Sequence, residues 1–328
     1  MTQATHRSLW AGLLALCTTS LHAQDNTSTL QQTGLDNRAQ ITQVGNGHSS
    51  AGTQLGNLNT LEVNQSGSYN RATSAQVGNR NAVTQNQSAA SSTASASQLG
   101  DRNTISQTQE IGPNHTATGV QLGNRNELTQ AQRGSGHQAG AAQTGNRNVA
   151  EQIQFGRVNQ AGILQVGDNN QAYQQQSGLG NIATLASVGN RNSAVQDQGG
   201  SNTATGAQLG NDNSLTQRQQ GFGNSATASQ VGNRNLAEQS QEGGSPSLNT
   251  ATIEQEGNDN RAYQSQGGGD ISAQNSAYID QDGNGHFARQ QQTGISNSAE
   301  VYQGISGQSS TTIQNGVGNQ VEVRQNHP

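Results

Sequence analysis

Residues 143–154 read QTGNRNVAEQIQ, and this stretch contains the pattern on which nearly the whole chain is built. The pattern Q-x-G-x-x-N-x-A-x-x-x-Q recurs from residue 32 to residue 325, at a spacing of 11 residues in 22 of the 26 intervals. Its leading position is Gln in every unit but one, which has Ser187. This regular spacing indicates a repeat architecture, because each unit must stack on similar neighbours to bury its inner face.

Alternate units match each other better than neighbouring units do, so the structural repeat is 22 residues long. Every second unit carries an additional Gln two residues before the next leading Gln, where its partner units have Ala, Gly, Ile or Leu. Two different 11-residue halves therefore make one 22-residue turn of the repeat, which we call a rung. The additional residues are Gln85, Gln107, Gln130, Gln152, Gln174, Gln196, Gln217, Gln239, Gln264 and Gln290.

Each N-x-A-x-x-x-Q segment is predicted to be a β-strand with one buried face, which gives 27 strands. Side chains of an extended chain alternate between two faces, so the Asn, the Ala and the final Gln point the same way. In residues 159–165 that face holds Asn159, Ala161, Ile163 and Gln165, and in no unit does it hold a charged residue. The opposite face holds Arg, Glu, Asp, Thr and Ser, which indicates contact with water.

The Q-x-G-x-x-N segments are predicted to be turns, because Gly adopts unusual dihedral angles and Asn tolerates a left-handed backbone. Pro113 and Pro246 fall in such segments, and Pro328 ends the chain. All departures from the 11-residue spacing lie in one half of the 22-residue unit, so one edge is expected to be uniform and the other to accept loops. The predicted turn glycines include Gly78, Gly100, Gly123, Gly145, Gly167, Gly189, Gly210 and Gly232.

The fold predicted from this pattern is all-β, a flattened β-solenoid of about 13 two-strand rungs with amyloid-like cross-β stacking. Rungs about 4.8 Å apart would give a body about 60 Å long. A buried amide without a partner costs about 1–3 kcal/mol, so leading Gln and turn Asn side chains are expected to form ladders along the axis. The ladder residues named for this role are Gln76, Asn81, Gln87, Gln98, Asn103, Gln121, Asn126, Gln143, Asn148, Gln165, Asn170, Gln230 and Asn235.

The composition agrees with amide ladders rather than an ordinary apolar core. Only 28% of residues are hydrophobic and 3% aromatic, whereas 49 are Gln and 37 are Asn. Charged residues make up 11% of the chain and the net charge is −5. A nucleic-acid-binding protein would be basic, so that class is disfavoured.

The N-terminus is predicted to be a signal peptide, residues 1–23, followed by a single solenoid domain, residues 24–328. His6 and Arg7 precede an apolar run that is too short to span a bilayer, and Ala23 offers a small residue for cleavage. Cys17 lies inside this segment, so the mature chain is expected to have no cysteine and no disulfide. No later stretch reaches the length of a membrane-spanning helix.

Four histidines, His48, His115, His137 and His286, are candidate metal ligands, but each occupies the Asn position of its unit. We expect them to be polar substitutes in the ladder, scattered over distant rungs, and we predict no metal and no cofactor. No nucleophile elbow, phosphate loop or pair of carboxylates stands out from the repeat, so no catalytic site and no enzymatic activity are predicted.

A turn column containing Arg80, Arg102, Arg125 and Arg147 is expected to align like charges along one edge. Asp212 and Asp259 introduce the opposite sign further along the same column. Solubility and control of register are the favoured roles of this column. The alternative is a stripe that binds anionic matrix polysaccharide or nucleic acid.

Residues from about 26 to 325 resemble the curlin-repeat proteins, the subunits of curli, whose motif is S-x5-Q-x-G-x2-N-x-A-x3-Q. The resemblance implies secretion through a dedicated outer-membrane channel of a Gram-negative bacterium and polymerisation, with a companion curlin, into pilus-like amyloid fibres at the cell surface. Such fibres serve biofilm formation, adhesion and aggregation. The Ser of the motif is mostly Asn here, which is more similar to the minor, nucleating curlin, so a nucleator is the alternative assignment.

Self-assembly is also expected on physical grounds, because the unpaired edges of a solenoid recruit further chains unless they are capped. Neither the first strand, residues 26–32, nor the last, residues 319–325, has a proline or an inward charge. We therefore expect head-to-tail stacking. A monomeric secreted β-solenoid, either an adhesin or an ice-binding protein, is the hypothesis from another class, although the outward residues lack a regular Thr array.

Overall fold

The computed structural model describes residues 25–243, 248–268 and 274–327. These described residues are all-β, with 77% of them in strands and none in a helix, and they wind into a parallel β-solenoid of about 13 turns with Gln and Asn hydrogen-bond ladders. The predicted fold class is thus confirmed. The predicted signal peptide, Cys17, Pro246 and Pro328 lie outside the described residues. In the described part of the chain, no helix is long and apolar enough to cross a membrane.

Two sheets of parallel strands face each other across the interior. The first sheet contains β1 (Thr27–Thr33), β3 (Ser49–Asn57), β5 (Arg71–Asn79), β7 (Thr93–Leu99), β9 (Thr116–Asn124), β11 (Gln138–Asn146), β13 (Gln160–Val166), β15 (Ile182–Val188), β19 (Thr250–Asn258), β21 (Ser276–Asn284), β23 (Ser298–Gln303) and β25 (Gln320–Gln325).

The second sheet contains β2 (Arg38–Asn46), β4 (Thr60–Ser68), β6 (Ala82–Gln87), β8 (Thr104–Glu110), β10 (Glu127–Ser135), β12 (Val149–Arg157), β14 (Gln171–Leu179), β18 (Leu236–Gly243), β20 (Arg261–Gly268), β22 (Phe287–Ile295) and β24 (Ser309–Val317). Two long strands, β16 (Ser193–Leu209) and β17 (Ser214–Asn233), pass through both sheets.

The described residues form 25 strands rather than the predicted 27, because β16 and β17 each continue through a corner where a turn was expected. Gly199, Gly200 and Ser201 of β16 still pair in register with residues of β17, and the register shifts only before Thr203. The interval that begins at Gln198 is one residue shorter than the usual 11. Strand pairing continues through this corner although Gly200 and Gly221 have positive φ angles of 110° and 100°.

Each strand pairs in parallel with the strand one rung away, and identical positions of the repeat lie opposite each other. Gln143 of β11, for example, pairs with Gln121 of β9 on one side and with Gln165 of β13 on the other. This register brings like side chains to the strand spacing of about 4.8 Å, which is the geometry that amide ladders need.

Burial alternates along the strands as the sequence parity predicts. In β10 the residues Leu128, Gln130 and Gln132 are buried, whereas Glu127 and Arg133 are exposed. The described interior contains Ala, Leu, Ile and Val together with Gln, Asn, Ser, Thr and His, but no Asp, Glu or Arg. The core is therefore mixed, and its polar half must be satisfied by hydrogen bonds.

Turns that lead from the first sheet to the second form one edge of the solenoid, which we call the arginine edge. Gly100 in this edge has a φ of 123°, and a Cβ at this position would lie 2.0 Å from the carbonyl oxygen of Gly123 one rung on. Glycine is therefore required by both the dihedral angle and the close approach of rungs. The departures from 11-residue spacing fall on the opposite edge, which we call the variable edge.

Candidate assembly interface: amide ladders and the two ends of the solenoid

The leading Gln residues of the second sheet form an unbroken ladder from Gln43 to Gln314. Each Nε2 donates to the Oε1 of the leading Gln one rung on, at 2.8–3.0 Å, over 12 successive bonds. The second N–H of each amide is available for a hydrogen bond across the interior to the facing sheet. In Gln132, for example, Nε2 also donates to the carbonyl oxygen of Thr116 in the facing strand, at 2.9 Å. The ladder thus joins rungs along the axis and sheets across it.

The corresponding ladder of the first sheet contains Gln76, Gln98, Gln121, Gln143 and Gln165, whose amides bond in sequence at 2.7–3.1 Å. It is interrupted once. Ser187 occupies the next rung, where its Oγ donates to Gln208 Oε1 at 2.9 Å. The ladder resumes at Gln208 and includes Gln230.

The additional Gln residues form a third ladder, from Gln85 to Gln290, with bonds of 2.7–3.0 Å. Their amides also reach the first sheet, as Gln107 Nε2 does in donating to the carbonyl oxygen of Ser95 at 2.9 Å. Gln85 Oε1 is buried without a partner. The rung before it has Val63 in place of Gln, so the ladder begins at Gln85 without a donor.

Asn side chains at the arginine edge form a buried ladder that ties turn to turn. Asn126 Oδ1 accepts a hydrogen bond from the backbone N–H of Asn148 at 3.0 Å. Asn148 Nδ2 in turn donates to the carbonyl oxygen of Gly167 on the next rung, at 2.7 Å. The other residues predicted for this ladder lie in the same column and are buried; they are Asn81, Asn103, Asn170 and Asn235.

A second, more exposed ladder runs two residues before that column, and the sequence interpretation missed it. Asn79 donates through both its backbone N and its Nδ2 to Asp101 Oδ1, at 2.8 and 2.9 Å. Asn146 bonds to Asp168 in the same way, at 2.7 and 3.0 Å. The signal was available, because the residue after the turn Gly of the first-sheet unit is Asn or Asp on 11 successive rungs from Asn57 to Asn284.

The four histidines occupy Asn positions, and in His48, His137 and His286 both ring nitrogens replace the amide group, whereas Nδ1 of His115 is buried without a partner. His137 Nδ1 accepts from the backbone N–H of Asn159 at 3.2 Å, which leaves Nε2 as the donor to the carbonyl oxygen of Arg133 at 3.1 Å. The expectation of distant rungs was wrong for one pair. His115 and His137 lie on adjacent rungs and stack with ring centroids 5.3 Å apart. No described group of three or more His, Cys, Asp or Glu is arranged to hold a metal ion.

Burial lowers the pKa of His115, His137 and His286, because a charged imidazole is disfavoured in the interior. The charge of the stacked His115 lowers the pKa of His137 further. In His137 and His286, protonation at Nδ1 would also remove the acceptor for the next rung's N–H. These side chains therefore act as ladder members in their neutral form.

The arginine edge carries a groove of about 640 Å³ that is lined by four successive arginines, Arg80, Arg102, Arg125 and Arg147, together with Asn and Asp of the exposed ladder. None of the four forms an ion pair with another described residue. Further along, Arg191 pairs with Asp212 and Arg234 with Asp259, each at 2.7 Å. These arginines hold the pKa of Asp212 and Asp259 below its usual value. The column thus has an unpaired cationic stretch followed by a neutralised one.

The two end rungs each have one unpaired side among the described residues. At the N-terminal end β1 pairs only with β3, and β2 only with β4. At the C-terminal end β24 pairs only with β22, and β25 only with β23. Glu322 and Arg324 of β25 point outward and Val321 and Val323 inward, as the sequence predicts.

The Gln ladders give the two ends opposite hydrogen-bonding capacities. No described residue donates to the Oε1 atoms of Gln32 and Gln43 at the N-terminal end. At the C-terminal end, the Nε2 atoms of Gln314 and Gln325 bond only to carbonyl oxygens among the described residues, of Ser298 at 2.8 Å and of Ser309 at 3.0 Å. One end therefore offers acceptors and the other offers donors at matching positions.

Parallel in-register rungs and axial amide ladders define the class of cross-β solenoids. Residues 34–67 match the family model of the curlin associated repeat. This match, which covers β2, β3 and most of β4, confirms the resemblance to the curlin-repeat family, a family of structural fibre subunits. Comparison of the chain with curated proteins finds no match.

Proposed function

We propose that the protein is a secreted structural subunit that stacks head to tail into curli-type amyloid fibres. The observation that carries this proposal is the complementarity of the two ends. The donors of Gln314 and Gln325 and the acceptors of Gln32 and Gln43 occupy equivalent positions of the repeat. Placing the C-terminal end of one molecule on the N-terminal end of another continues both ladders, whereas two like ends would oppose donor to donor or acceptor to acceptor.

Several finer features of the proposal rest on the family resemblance. These are export through an outer-membrane channel of a Gram-negative bacterium after removal of residues 1–23, a companion curlin as partner, and an extracellular, pilus-like fibre that supports biofilm formation and adhesion. The role is structural, without catalysis or cofactor. Whether the chain is the bulk subunit or the nucleator is decided by seeding, in which substoichiometric fibres of this chain are mixed with fresh monomer of the companion curlin, and the reverse.

The contrasting hypothesis of a monomeric adhesin or ice-binding protein requires ends that do not recruit further chains. Outward Thr pairs do occur on the first sheet, as at Thr203 and Thr205. Gln138 and Gly140 interrupt the array on another rung, so the regular surface that ice binding needs is absent from this face. The open, complementary ends favour the fibre.

The proposal is tested with residues 24–328 and with a variant in which carboxylates replace the two amide donors at the C-terminal end. Gln314→Glu/Gln325→Glu keeps the Oε1 acceptors to which Gln292 and Gln303 donate. It also places carboxylate oxygens, which cannot donate, opposite the acceptor oxygens of the next molecule. We expect the unaltered chain to give fibres with a meridional reflection near 4.7–4.8 Å, and the variant to elongate at least tenfold more slowly.

The control is Gln320→Glu, which adds a charge to an outward, exposed position of β25 and leaves the ladders unchanged. This variant is expected to elongate at the rate of the unaltered chain. An unaltered chain that remains monomeric at high concentration, or a donor-end variant that elongates normally, would contradict the proposal.

A further inference from the structure

The outer faces of the two sheets differ in charge. We define each outer face by the residues one, three, five and seven positions after the Asn position of each unit. From Thr27 to Thr252, the outer face of the first sheet has one charged residue, Arg71. The outer face of the second sheet over the same rungs has Arg38, Glu62, Glu110, Glu127, Arg133, Glu151, Asp197, Arg218, Glu238, Glu242 and Arg261.

The first sheet also carries exposed aliphatic residues in one column, directly after the leading Gln of each rung. The register joins them rung by rung, from Leu55 to Val77 and from Val77 to Leu99. Seven Leu and Val residues of this column have exposed fractions of 36–53%, whereas Val166 is half-buried. We call this column the aliphatic rib; it consists of Leu55, Val77, Leu99, Leu122, Thr144, Val166, Val188, Leu209 and Val231.

The rest of this face is formed mainly by small, uncharged side chains. Thr116, Thr118 and Val120 represent it on β9, and Gln138, Gly140 and Ala142 on β11. A Cβ at Gly140 would meet nothing within 4 Å. A flat surface of this kind allows a second sheet to approach closely. The rib ends where Glu256 and then Asp282 occupy its column.

We propose that the aliphatic rib and the small residues beside it form a lateral interface with a second copy of this chain, packed face to face. Exposed contiguous apolar patches of this size mark interaction sites. Nine rungs about 4.8 Å apart and a strand width of about 20 Å give about 900 Å² per copy, which reaches the roughly 800 Å² per partner of a stable protein interface.

A second copy fits this face better than a charged partner does, because the face has almost no charge with which to recognise one. Self-association requires a surface that is complementary to itself, and a neutral face of Thr, Ala, Leu and Val meets that requirement. The carboxylates that begin at Glu254 would repel each other in a direct overlay. A two-fold arrangement centred on the rib places most of these acidic rungs outside the contact.

This inference goes beyond end-to-end stacking and uses a different surface, so the two are separable by experiment. The variant Leu99→Glu/Leu122→Glu places two carboxylates in the rib, at exposed positions outside the core. The matched control is Ser66→Glu/Ser88→Glu, which adds the same charges in the same column of the second sheet, also at exposed positions. Electron microscopy measures filament width, and fluorescence measures the elongation rate.

We expect filaments of the unaltered chain and of the control to be two solenoids wide, and those of the rib variant to be one solenoid wide with an unchanged elongation rate. If no filaments form, sedimentation velocity of the soluble chains reports the same pairing as a dimer that the rib variant lacks. Filaments or particles of single width in the unaltered chain, or equal pairing in the rib variant, would overturn the inference. Loss of pairing in the control alone would place the interface on the second sheet and also overturn it.

Discussion

Gly119 and Leu128 contact each other across the interior, and a Cβ on Gly119 would lie only 2.6 Å from Leu128 Cδ2. The same relationship joins Gly206 to Leu215, at 2.4 Å. The sizes are reversed elsewhere, since the residue nine positions after Ile163 is Ala172. The two sheets thus keep a nearly constant distance because a large residue on one is matched by a small residue on the other.

We predict that Gly119→Ala destabilises the solenoid by about 1–3 kcal/mol, because the added methyl group overpacks the contact with Leu128. Adding Leu128→Ala should remove the clash, so the double variant should lose less stability than the sum of the two single variants. Guanidinium unfolding of the soluble chain measures this coupling. The control is Gly140→Ala, whose Cβ has open space and should change stability by less than about 0.5 kcal/mol. Strict additivity would contradict the prediction.

Ser187 interrupts a ladder that is otherwise continuous, so the chain offers a gain-of-stability test. In Ser187→Gln, the new amide has Gln165 on one rung and Gln208 on the next as ladder partners. Two added amide bonds should raise the free energy of unfolding by about 1–2 kcal/mol. Ser187→Ala, which removes only the bond to Gln208 Oε1, should lower it by about 1 kcal/mol. A Gln variant less stable than the Ala variant would show that the site cannot hold the ladder.

The ladders and the strand parity were predictable because a period of two decides which side chains point inward. A stacked repeat then places Gln143 between Gln121 and Gln165 without further information. The stack of His115 on His137 follows from the same rule, since the two residues are 22 positions apart and therefore share a column on adjacent rungs.

Other features depend on which residues share an edge or a face of the solenoid. They can be predicted only when each 11-residue half-unit is assigned to one of the two sheets. The exposed ladder through Asn79 and Asp101 was missed because the ladder role was assigned only to the Asn two residues further on in the repeat. The low charge of the first sheet's outer face from Thr27 to Thr252 becomes visible only when alternate units are assigned to different sheets, because the second sheet holds nearly all charged outward residues of those rungs. The continuous strands β16 and β17 were not predictable, because their corner glycines Gly200 and Gly221 have φ angles of 110° and 100°, which resemble those of the turn glycines elsewhere.

Acid should destabilise the solenoid through its buried histidines. Their pKa values are lowered in the folded state, so the unfolded chain binds protons more readily. This stability is fully present above the unfolded pKa of 6.5 and is lost as the pH falls below it, by up to about 1.4 kcal/mol per pH unit for each histidine.

His115→Asn/His137→Asn, which restores the common ladder residue, should therefore flatten the dependence of unfolding free energy on pH between about 7 and 5. Ser92→Asn is the control, because it changes the rung before His115 in the same column without adding or removing a titratable group. It should keep the slope of the unaltered chain. An unchanged slope in the histidine variant would show that these rings are not the source of acid sensitivity.

The unpaired arginines of the arginine edge predict binding of a linear polyanion, such as a polysaccharide with one carboxylate per sugar. Arg80, Arg102, Arg125 and Arg147 all have φ angles of 57–59°, so their side chains leave the backbone in the same direction on successive rungs. Changing all four to Gln should weaken binding of polygalacturonate by about tenfold or more and reduce the dependence of affinity on salt, because fewer counterions are released. Isothermal titration at two salt concentrations measures both effects.

The matched control for this prediction removes four arginines from the outer face of the second sheet, by changing Arg38, Arg133, Arg218 and Arg289 to Gln. Net charge falls equally in both variants, so a loss of binding confined to the edge variant locates the site in the groove. Equal losses would mean that net charge alone attracts the polymer. Aligned cations without a ligand are tolerated only where water and ions screen them. Binding that is insensitive to salt and unchanged by the edge substitutions would therefore contradict the prediction and would leave solubility and control of register as the roles of the column.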